Sequence, residues 1–239
     1  TVRGVQTRFS DCHINLLIVR QGTEDIYIGE EREIEGGAEA IARFTYNECR
    51  RIALYAFEAA RRYAPRGGKV TVVHKANILP LTHGLFLKTA REVAQSYPDI
   101  ECGDLLADAF MMKLVQDPER VNVILTTKFL GDLISDLAAG LVGGLGVVPG
   151  INIGPRVAVA ETVHGTGKRD IAGQGIANPT AMMLTAAMLL GHLHEKDAAD
   201  HLQNTLVRVL TDGNSVTRDV NPVHYVSTED FANAVIAAL

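Results

Sequence analysis

The sequence has 239 residues, of which 47% are hydrophobic, and its formal net charge is −5. This apolar content suffices for one large globular domain or two small ones. The negative charge and the lack of any long run of Lys or Arg argue against nucleic acid as a partner. Charged residues interrupt every apolar run well before the roughly 18 residues of a membrane helix, so we expect no membrane partner.

The three cysteines, Cys12, Cys49 and Cys102, lie far apart and form no Cys-x-x-Cys motif. This spacing suggests neither a disulfide framework nor a cysteine zinc site, and it is typical of a reducing compartment. We therefore expect a cytoplasmic protein, or one of the mitochondrial matrix if its source is eukaryotic. The first residue is Thr1 rather than Met, which is compatible with processing, removal of a tag or a truncated chain.

The first part of the chain alternates between apolar strand patterns and amphipathic helix patterns. The run NLLIVR at 15–20 predicts a buried strand, and a helix expected over about 38–63 places Ile52, Tyr55 and Ala59 on one face. The other expected strands are 69–74, 101–106 and 121–126, and the other expected helices are about 83–96 and 132–142. Strands that alternate with helices predict an α/β layer architecture.

Glycine and proline are dense over 140–155, GLVGGLGVVPGINIGP, which predicts irregular backbone and a domain crossing. Beyond this segment we expect a strand at 157–161 and helices near 179–194, 196–211 and 229–238. The expected division is therefore a first domain of residues 1–142 and a second of residues 143–239.

The segment GDLISD at 131–136 places Asp132 and Asp136 four residues apart, on one face of a helix. Two like charges there destabilise a bare helix. They suit a divalent cation, because Mg²⁺ prefers carboxylate oxygens and keeps waters that a substrate can replace. The alternative is a pair of solvated acids near a helix start, where the helix dipole favours negative charge.

The loop VHGTGKRDIAGQGIANPTA at 163–181 lies between an expected strand and an expected helix. Its glycines let backbone amides approach a phosphate, and Asp170 can accept hydrogen bonds from an adenosine ribose. The loop matches neither the G-x-G-x-x-G fingerprint nor the P-loop, so a plain surface turn is an equal alternative.

Lys75 directly follows the expected strand 69–74, a common place for catalytic groups in α/β sheets. A lysine at this position can serve in proton transfer. The alternative is a surface lysine at a strand end. The histidines, including His74, His83 and His164, show no metal-ligand spacing, and we assign none of them to a metal.

Together these segments resemble the NAD-dependent β-decarboxylating dehydrogenases, the family of isocitrate, homoisocitrate and isopropylmalate dehydrogenases. IVRQGTEDIY at 18–27 is similar to the family's Val-Arg-Glu-Asn-Thr-Glu stretch, and HKANILPLTHGLF at 74–86 to its His-Lys-Ala/Ser-Asn segment. ADAFMMKLV at 107–115 resembles the segment with a metal-binding aspartate, and GDLISD the Gly-Asp-Ile-x-Ser-Asp signature. The resemblance implies an isopropylmalate/isocitrate dehydrogenase-like α/β fold, with a smaller dimer-forming domain before the C-terminal part of a nucleotide domain.

The resemblance also implies a role for each matching residue. Arg20, Tyr27 and Lys75 contact the substrate: Arg20 binds a carboxylate, Tyr27 donates a proton late in the reaction, and Lys75 transfers a proton in the partner subunit's site. The implied ligands of Mg²⁺ or Mn²⁺ are Asp132, Asp136 and the partner's Asp108. The implied dinucleotide-binding residues are Asn77, His164, Gly165, Thr166, Asp170, Ile171 and Asn178. The active site would then be shared across a homodimer or a higher oligomer.

The implied activity is oxidative decarboxylation of a malate-type 2-hydroxy acid, by hydride transfer to the nicotinamide and loss of CO₂ from the β-keto acid while the metal polarises the new carbonyl. Isocitrate is the first expected substrate, homoisocitrate the second and 3-isopropylmalate the third. Asp170 followed by Ile171 resembles the NAD-using members, whereas NADP users have Lys-Tyr there. The alternative of another class is a non-catalytic regulatory subunit of an isocitrate dehydrogenase.

The sequence departs from the family pattern at three places and at its start. Gln21-Gly22 replaces Glu-Asn, Lys128-Phe129-Leu130 replaces Asn-Leu/Tyr-Tyr/Phe, and the nucleotide loop has an extra residue with Lys168 and Arg169, which can bind a pyrophosphate or a 2′-phosphate. Family members carry roughly one hundred further residues before this point, so we expect an oligomeric partner or a separate N-terminal chain to cover the surface that this segment would bury.

Overall fold

The computed structural model describes residues 2–63, 68–165 and 169–239. These residues divide into two compact units. The first unit is His13–Leu137, and the second combines the chain up to Cys12 with Ala138–Leu239. Among the described residues, no helix has both the length and the apolar character needed to cross a bilayer.

The first unit contains a four-stranded parallel sheet and a separate hairpin. The strands are, in chain order, β1 (Leu17–Arg20), β2 (Glu31–Ile34), β3 (Gly37–Ala40), β4 (Lys69–His74), β5 (Glu101–Leu106) and β6 (Val123–Thr126). The sheet has the order β1-β6-β4-β5, and every neighbouring pair is parallel. These four strands confirm the predicted α/β class, and β1 and β6 begin two residues later than their apolar runs.

Helices cover this sheet and bury its apolar side chains. They are α1 (Tyr46–Tyr63), α2 (Thr82–Ala94), α3 (Ala107–Gln116) and α4 (Lys128–Val142), the last of which continues into the second unit. Phe57 of α1 and Phe86 of α2 share one buried core with Val72 and Leu125 of the two central strands. Central strands of a parallel sheet are covered on both faces, which explains why β4 and β6 are almost continuously buried.

The carboxyl ends of all four parallel strands meet at one edge of the sheet. The last residues of the strands are Arg20, His74, Leu106 and Thr126. Ligands of open α/β sheets bind at this edge, since the loops and helix starts that follow the strands cluster there. The candidate residues of the first unit lie at these strand ends, in the loops that follow them and in the first half or so of the helices α3 and α4.

The helix expected over 38–63 begins instead at Tyr46, and the residues before it form the β2-β3 hairpin. Ile34 pairs with Gly37 around a two-residue loop, in which Gly36 has a φ of 72° that favours glycine. Arg32 lies opposite Glu39 and forms an ion pair with it. The prediction failed because alanine and glutamate suit a helix, whereas the Glu35-Gly36 turn and the cross-strand pair stabilise a hairpin.

The second unit pairs two antiparallel strands with three helices. These are β7 (Pro149–Ile153), β8 (Ala158–Thr162), α5 (Thr180–His192), α6 (Lys196–Asp212) and α7 (Thr228–Ala238). Helices α6 and α7 bury Leu206, Leu210 and Phe231 in a core that also contains Val5 and Val147. A Cβ added to Gly4 would lie 2.2 Å from the backbone oxygen of Leu210, so residues before Cys12 pack closely within this unit.

The segment 140–155 was expected to be irregular, but it contains β7 and a short 3-10 helix, Leu145–Val147. Pro149 is the first residue of β7, where the missing N–H is tolerated. A Cβ on Gly150 would lie 2.8 Å from the Glu161 backbone oxygen of β8. Gly150 therefore serves close strand approach, a use that composition alone does not separate from a loop. The expected domain boundary at residue 142 stays a prediction for the complete fold.

Candidate functional site

Arg20, the last residue of β1, reaches the first turns of α4. Its Nη1 atom forms an ion pair with Oδ1 of Asp132, and Nζ of Lys128 lies 3.2 Å from the same oxygen. The three side chains are partly buried. Gly131 makes this approach possible, because a Cβ there would lie 2.6 Å from the Arg20 Cβ. The sequence therefore needs a glycine before Asp132 for the helix to pack against Arg20.

Tyr27 joins this cluster from a short 3-10 helix, Ile26–Ile28. A hydrogen bond between its hydroxyl and Asp132 is the main reason that the pKa of Tyr27 is raised above its ordinary value of 10.0. Nζ of Lys128 also lies 4.6 Å from the centre of the Tyr27 ring. With its raised pKa, the half-exposed Tyr27 hydroxyl keeps its proton at neutral pH and can act as a proton donor.

Asp132 is held in its ionised form by these neighbours. Partial burial works against the charge, but hydrogen bonds from Tyr27 and Lys128 and the charge of Arg20 together lower the pKa of Asp132 below 3.8. Asp136 is exposed one turn further along α4. Two carboxylates on neighbouring turns of one helix, one of them held ionised, are a donor set that fits a hard divalent cation.

The third expected metal ligand, Asp108, lies elsewhere in the same chain. In the part of the chain that the structure describes, no group of three His, Cys, Asp or Glu residues is placed to hold a metal ion. Asp108 instead contacts Lys75, with 2.8 Å between its Oδ1 and the lysine Nζ. That hydrogen bond is the main reason that the pKa of Asp108 is lowered. A metal site made with the partner's Asp108 stays a prediction.

Lys75 and Asp108 follow neighbouring strands: Lys75 is in the loop after β4, and Asp108 is in the first turn of α3, directly after β5. Both residues are ones that the family resemblance assigns to the partner subunit's site. They form one ion pair on the β4-β5 side of the sheet. Arg20, which ends β1, and Asp132, in the helix that follows β6, lie on the other side. One chain therefore carries two separate groups of candidate residues along a single edge.

Two buried histidines that sequence reasoning left unassigned support the backbone at Lys75. The backbone N–H of Lys75 donates to Nδ1 of His83 over 3.1 Å, and that of Ala76 donates to Nδ1 of His74 over 3.0 Å. His74 and His83 are 4% and 5% exposed. The position of His74 next to Lys75 was the one available signal, and it did not distinguish support from ordinary burial.

A buried carboxylate supports the loop between Arg20 and Tyr27, and sequence reasoning missed it. Glu24 accepts hydrogen bonds from the side chain of Gln21 at 2.8 Å and from the backbone N–H and hydroxyl of Thr45 at 2.9 and 2.6 Å. The departure from the family at Gln21 thus lies in a hydrogen-bonded network rather than at an open surface. The acceptor pattern ties the loop to the start of α1.

Asp25 joins the Tyr27 helix to α4 with its two carboxylate oxygens. Oδ1 accepts from the backbone N–H of Ile26 at 2.8 Å, and Oδ2 accepts from that of Phe129 at 2.9 Å. Asp25 has a φ of 71°, which is unusual for a residue with a side chain and is tolerated best by Asn and Asp. This strained residue therefore sets the distance between Tyr27 and the turn that carries Asp132.

The expected dinucleotide residues fall in both units. His164 and Gly165 are exposed after β8, Asp170 is exposed in a 3-10 helix with Ile171, and Thr166 and Lys168 lie outside the described residues. Asn178 accepts from the Thr180 backbone N–H and donates to Asp219, each over 2.9 Å. Asn77 is exposed in the first unit. Cofactor binding by these residues stays a prediction.

Comparison with known proteins gives consistent matches over almost the whole chain. The sequence profile described as isocitrate/isopropylmalate dehydrogenase matches residues 5–235. A 3-isopropylmalate dehydrogenase of Archaeoglobus fulgidus is 45% identical over 95% of the chain, and an isocitrate/homoisocitrate dehydrogenase of Thermus thermophilus is 46% identical over 95%. The alpha subunit of a human mitochondrial NAD isocitrate dehydrogenase is 41% identical over 92%.

The chain spans about two thirds of these relatives, covering 68%, 66% and 59% of their lengths. A crystal structure of isocitrate dehydrogenase from Methylococcus capsulatus superposes with a TM-score of 0.93 and 46% identity, over 100% of this chain and 70% of that one. These matches agree with the resemblance carried by the Arg20, Lys75 and Asp132 segments. The chain belongs to the isocitrate/isopropylmalate dehydrogenase family.

Proposed function

We propose that the complete gene product is a metal- and NAD-dependent dehydrogenase that oxidises and decarboxylates a malate-type 2-hydroxy acid. The observation that carries the proposal is the convergence of Arg20, Tyr27 and Asp132 at the carboxyl edge of the parallel sheet. A cationic anchor, a protonated phenol and an ionised carboxylate are the groups that this chemistry requires.

The residues of this chain have distinct tasks in the proposed reaction. Arg20 leaves Asp132 to bind a substrate carboxylate, and Tyr27 donates a proton to carbon after CO₂ is lost. In the partner subunit's site, Lys75 first loses a proton and then accepts the proton of the substrate hydroxyl as a neutral amine. When bound, NAD would supply the hydride acceptor. Asp132, Asp136 and the partner's Asp108 would hold a divalent ion, which would stabilise negative charge that develops on the substrate.

Isocitrate is the substrate that we propose first. The superposed crystal structure and the human relative carry isocitrate in their names, and the Thermus relative is named for isocitrate and homoisocitrate. The Archaeoglobus relative is named for 3-isopropylmalate. NADH formation with each of the three acids tests the order, and turnover of 3-isopropylmalate above the other two would reverse it.

A complementation experiment tests whether the site is shared between subunits. Asp132→Asn and Lys75→Met variants of the complete gene product are each expected to be inactive, since each lacks one half of the site. When the two are refolded together, a heterodimer has one intact site, and random pairing restores about a quarter of the wild-type activity in a two-fold dimer.

Two outcomes would contradict parts of the proposal. If refolding the two inactive variants together restores no activity, the site is completed within one chain. If the wild-type protein oxidises none of the three acids with NAD or NADP in the presence of Mg²⁺ or Mn²⁺, the protein is a non-catalytic subunit. A variant of the exposed residue Lys88, Lys88→Met, serves as the refolding control.

A further inference from the structure

The two consecutive backbone N–H groups directly after β4 both donate hydrogen bonds to imidazole rings. The N–H of Lys75 meets Nδ1 of His83, which belongs to α2, and the N–H of Ala76 meets Nδ1 of His74, which ends β4. Such N–H groups lack partners where a strand ladder stops, and leaving them unpaired away from water destabilises the fold. The two rings supply the missing acceptors.

This geometry requires both rings to be neutral with the proton on Nε2. A ring nitrogen that accepts a hydrogen bond carries no proton, so the other nitrogen must carry it. Nε2 of His74 lies 3.2 Å from Oδ2 of Asp104, and Arg91 donates to the other oxygen of that carboxylate over 2.7 Å. Burial is the main reason that the pKa of His83 is lowered, which keeps this ring neutral as well.

The carbonyl of Lys75 is held as firmly as its N–H. It accepts from the backbone N–H groups of Ile78 and Leu79, each over 3.0 Å, in the turn that leads to α2. His83 also packs against the ring of Phe44, with 5.3 Å between the ring centres. Lys75 is therefore tied at its backbone to β4 and α2, while its amine reaches Asp108 beyond β5.

We propose that His83 and His74 are positioning residues for Lys75, which hold its backbone so that the amine reaches the reacting hydroxyl. The inference rests on the proposed function for the role of the lysine. A histidine that served only to pack the core would not need its Nδ1 atom directed at a backbone amide. Here both Nδ1 atoms point at the two amides that determine where the lysine side chain begins. A displacement of about 1 Å at such a group can cost about 100-fold in rate.

Matched variants at position 83 separate positioning from packing. His83→Phe keeps an aromatic ring but removes the acceptor, whereas His83→Asn loses the ring and keeps an oxygen near the position of Nδ1. The expected result for His83→Phe is a fall in kcat of about tenfold or more, with KM for the acid and for NAD within about twofold. His83→Asn should recover most of kcat. His13→Phe changes an exposed histidine of the same unit and is the control.

Exchange of the Lys75 amide hydrogen, measured by NMR on the full chain, gives a readout that does not need activity. Its protection should fall in His83→Phe and return in His83→Asn. Equal protection and equal kcat in both variants would overturn the inference. A different outcome would separate the two proposals. If amide protection falls in His83→Phe and returns in His83→Asn, but the wild-type protein shows no turnover, the proposed function is refuted and the role of His83 in holding the backbone stands.

The wild-type protein provides a test even if His83→Phe fails to fold. Long-range proton–nitrogen correlation spectra distinguish the two imidazole tautomers. The expected result is an unprotonated Nδ1 and a protonated Nε2 in both His74 and His83. A proton on Nδ1 of either ring would exclude the hydrogen bond to the backbone and overturn the inference for that residue.

Discussion

The Lys75 ammonium lies 2.8 Å from the Asp108 carboxylate, although the two residues are separated by all of α2 and β5. Parallel pairing of β4 with β5 brings the loop after β4 and the first turn of α3 side by side at one edge of the sheet. The ion pair holds the lysine that we propose for proton transfer next to the carboxylate that we propose as a metal ligand. If both residues contribute to the partner subunit's site, they contribute to it as one ion pair.

Replacement of Lys75 with Met should lower kcat about 100-fold or more, the usual contribution of a positioned acid or base. The amine is partly exposed and forms no part of the core, so the unfolding midpoint should stay close to that of the wild type. Steady-state kinetics with isocitrate and a thermal scan check both halves of this statement. The exposed-site variant Lys88→Met is the control. If kcat of Lys75→Met is no lower than that of Lys88→Met, Lys75 has no part in the mechanism.

Gly131→Ala should disturb substrate binding through Arg20. The new Cβ would meet the Arg20 Cβ at 2.6 Å and the Thr126 Cγ2 at 3.3 Å, so helix or strand must move. We expect KM for the acid to rise, because Arg20 is the proposed carboxylate anchor. Gly140→Ala is the matched control in the same helix, where an added Cβ meets nothing within 4 Å and should stabilise by up to about 1 kcal/mol. Equal KM values in the two variants would contradict the positioning role of Gly131.

Glu24→Ala should destabilise the first unit by about 1–3 kcal/mol, because it leaves the buried amide donor of Gln21 and the part-buried donors of Thr45 without their acceptor. Glu24→Gln keeps one acceptor oxygen and should lose less. Urea unfolding measures the difference in the free energy of unfolding. Far-UV circular dichroism is the probe, since the chain has no tryptophan, and a variant of an exposed residue, Glu33→Ala, is the control. A loss no larger than that of Glu33→Ala would show that the network contributes nothing.

Cys49 should resist alkylation in the native protein and react once it is unfolded. Its side chain is 0% exposed, and burial is the main reason that its pKa is raised from 9.0 to about 12. The fold favours the protonated thiol, so this stabilisation is complete below pH 9 and is lost as the pH rises towards 12. Mass spectrometry after iodoacetamide at pH 8 checks the prediction, and rapid native labelling of Cys49 would refute it.

Asp170 should favour NAD over NADP, because an exposed carboxylate that accepts from ribose hydroxyls repels a 2′-phosphate. Asp170→Asn should narrow the ratio of kcat/KM for the two cofactors by about tenfold, the effect of roughly 1.4 kcal/mol. Equal use of NADP by the wild-type protein would instead implicate Lys168 and Arg169 as phosphate ligands.

The sequence predicted the centre of the parallel sheet well, because β4 and β6 are buried runs with a local signature of their own. β4 and β5 begin and end where the apolar pattern places them, and most helix bounds agree within a few residues. The β2-β3 hairpin and β7 were missed for a shared reason. Both depend on cross-strand pairs, such as Arg32 with Glu39 or Gly150 beside Glu161, which join residues that no local window compares.

The candidate site divides in the same way. Asp132, Lys75 and Arg20 stood out because their residue types and motifs are local. The groups that hold them, Glu24 and His83, did not stand out, because a buried Glu or His has no distinctive pattern until its partners are known. The contact of Lys75 with Asp108 required the β4-β5 pairing, and sequence alone did not supply that register.

The composition of the second unit has a consequence for the order in which the chain folds. Val5 lies in one core with Val147 and Phe231, and the whole of His13–Leu137 intervenes. During synthesis the sheet-containing unit is complete once Leu137 has emerged, while the residues up to Cys12 must wait for α6 and α7. Loop-closure entropy grows only with the logarithm of loop length, so the long intervening segment lowers the stability of the second unit only slightly. Its main effect is therefore on when the second unit folds. A destabilising mutation in α6 or α7 would therefore leave the residues up to Cys12 without their packing partners, although the parallel sheet has already formed.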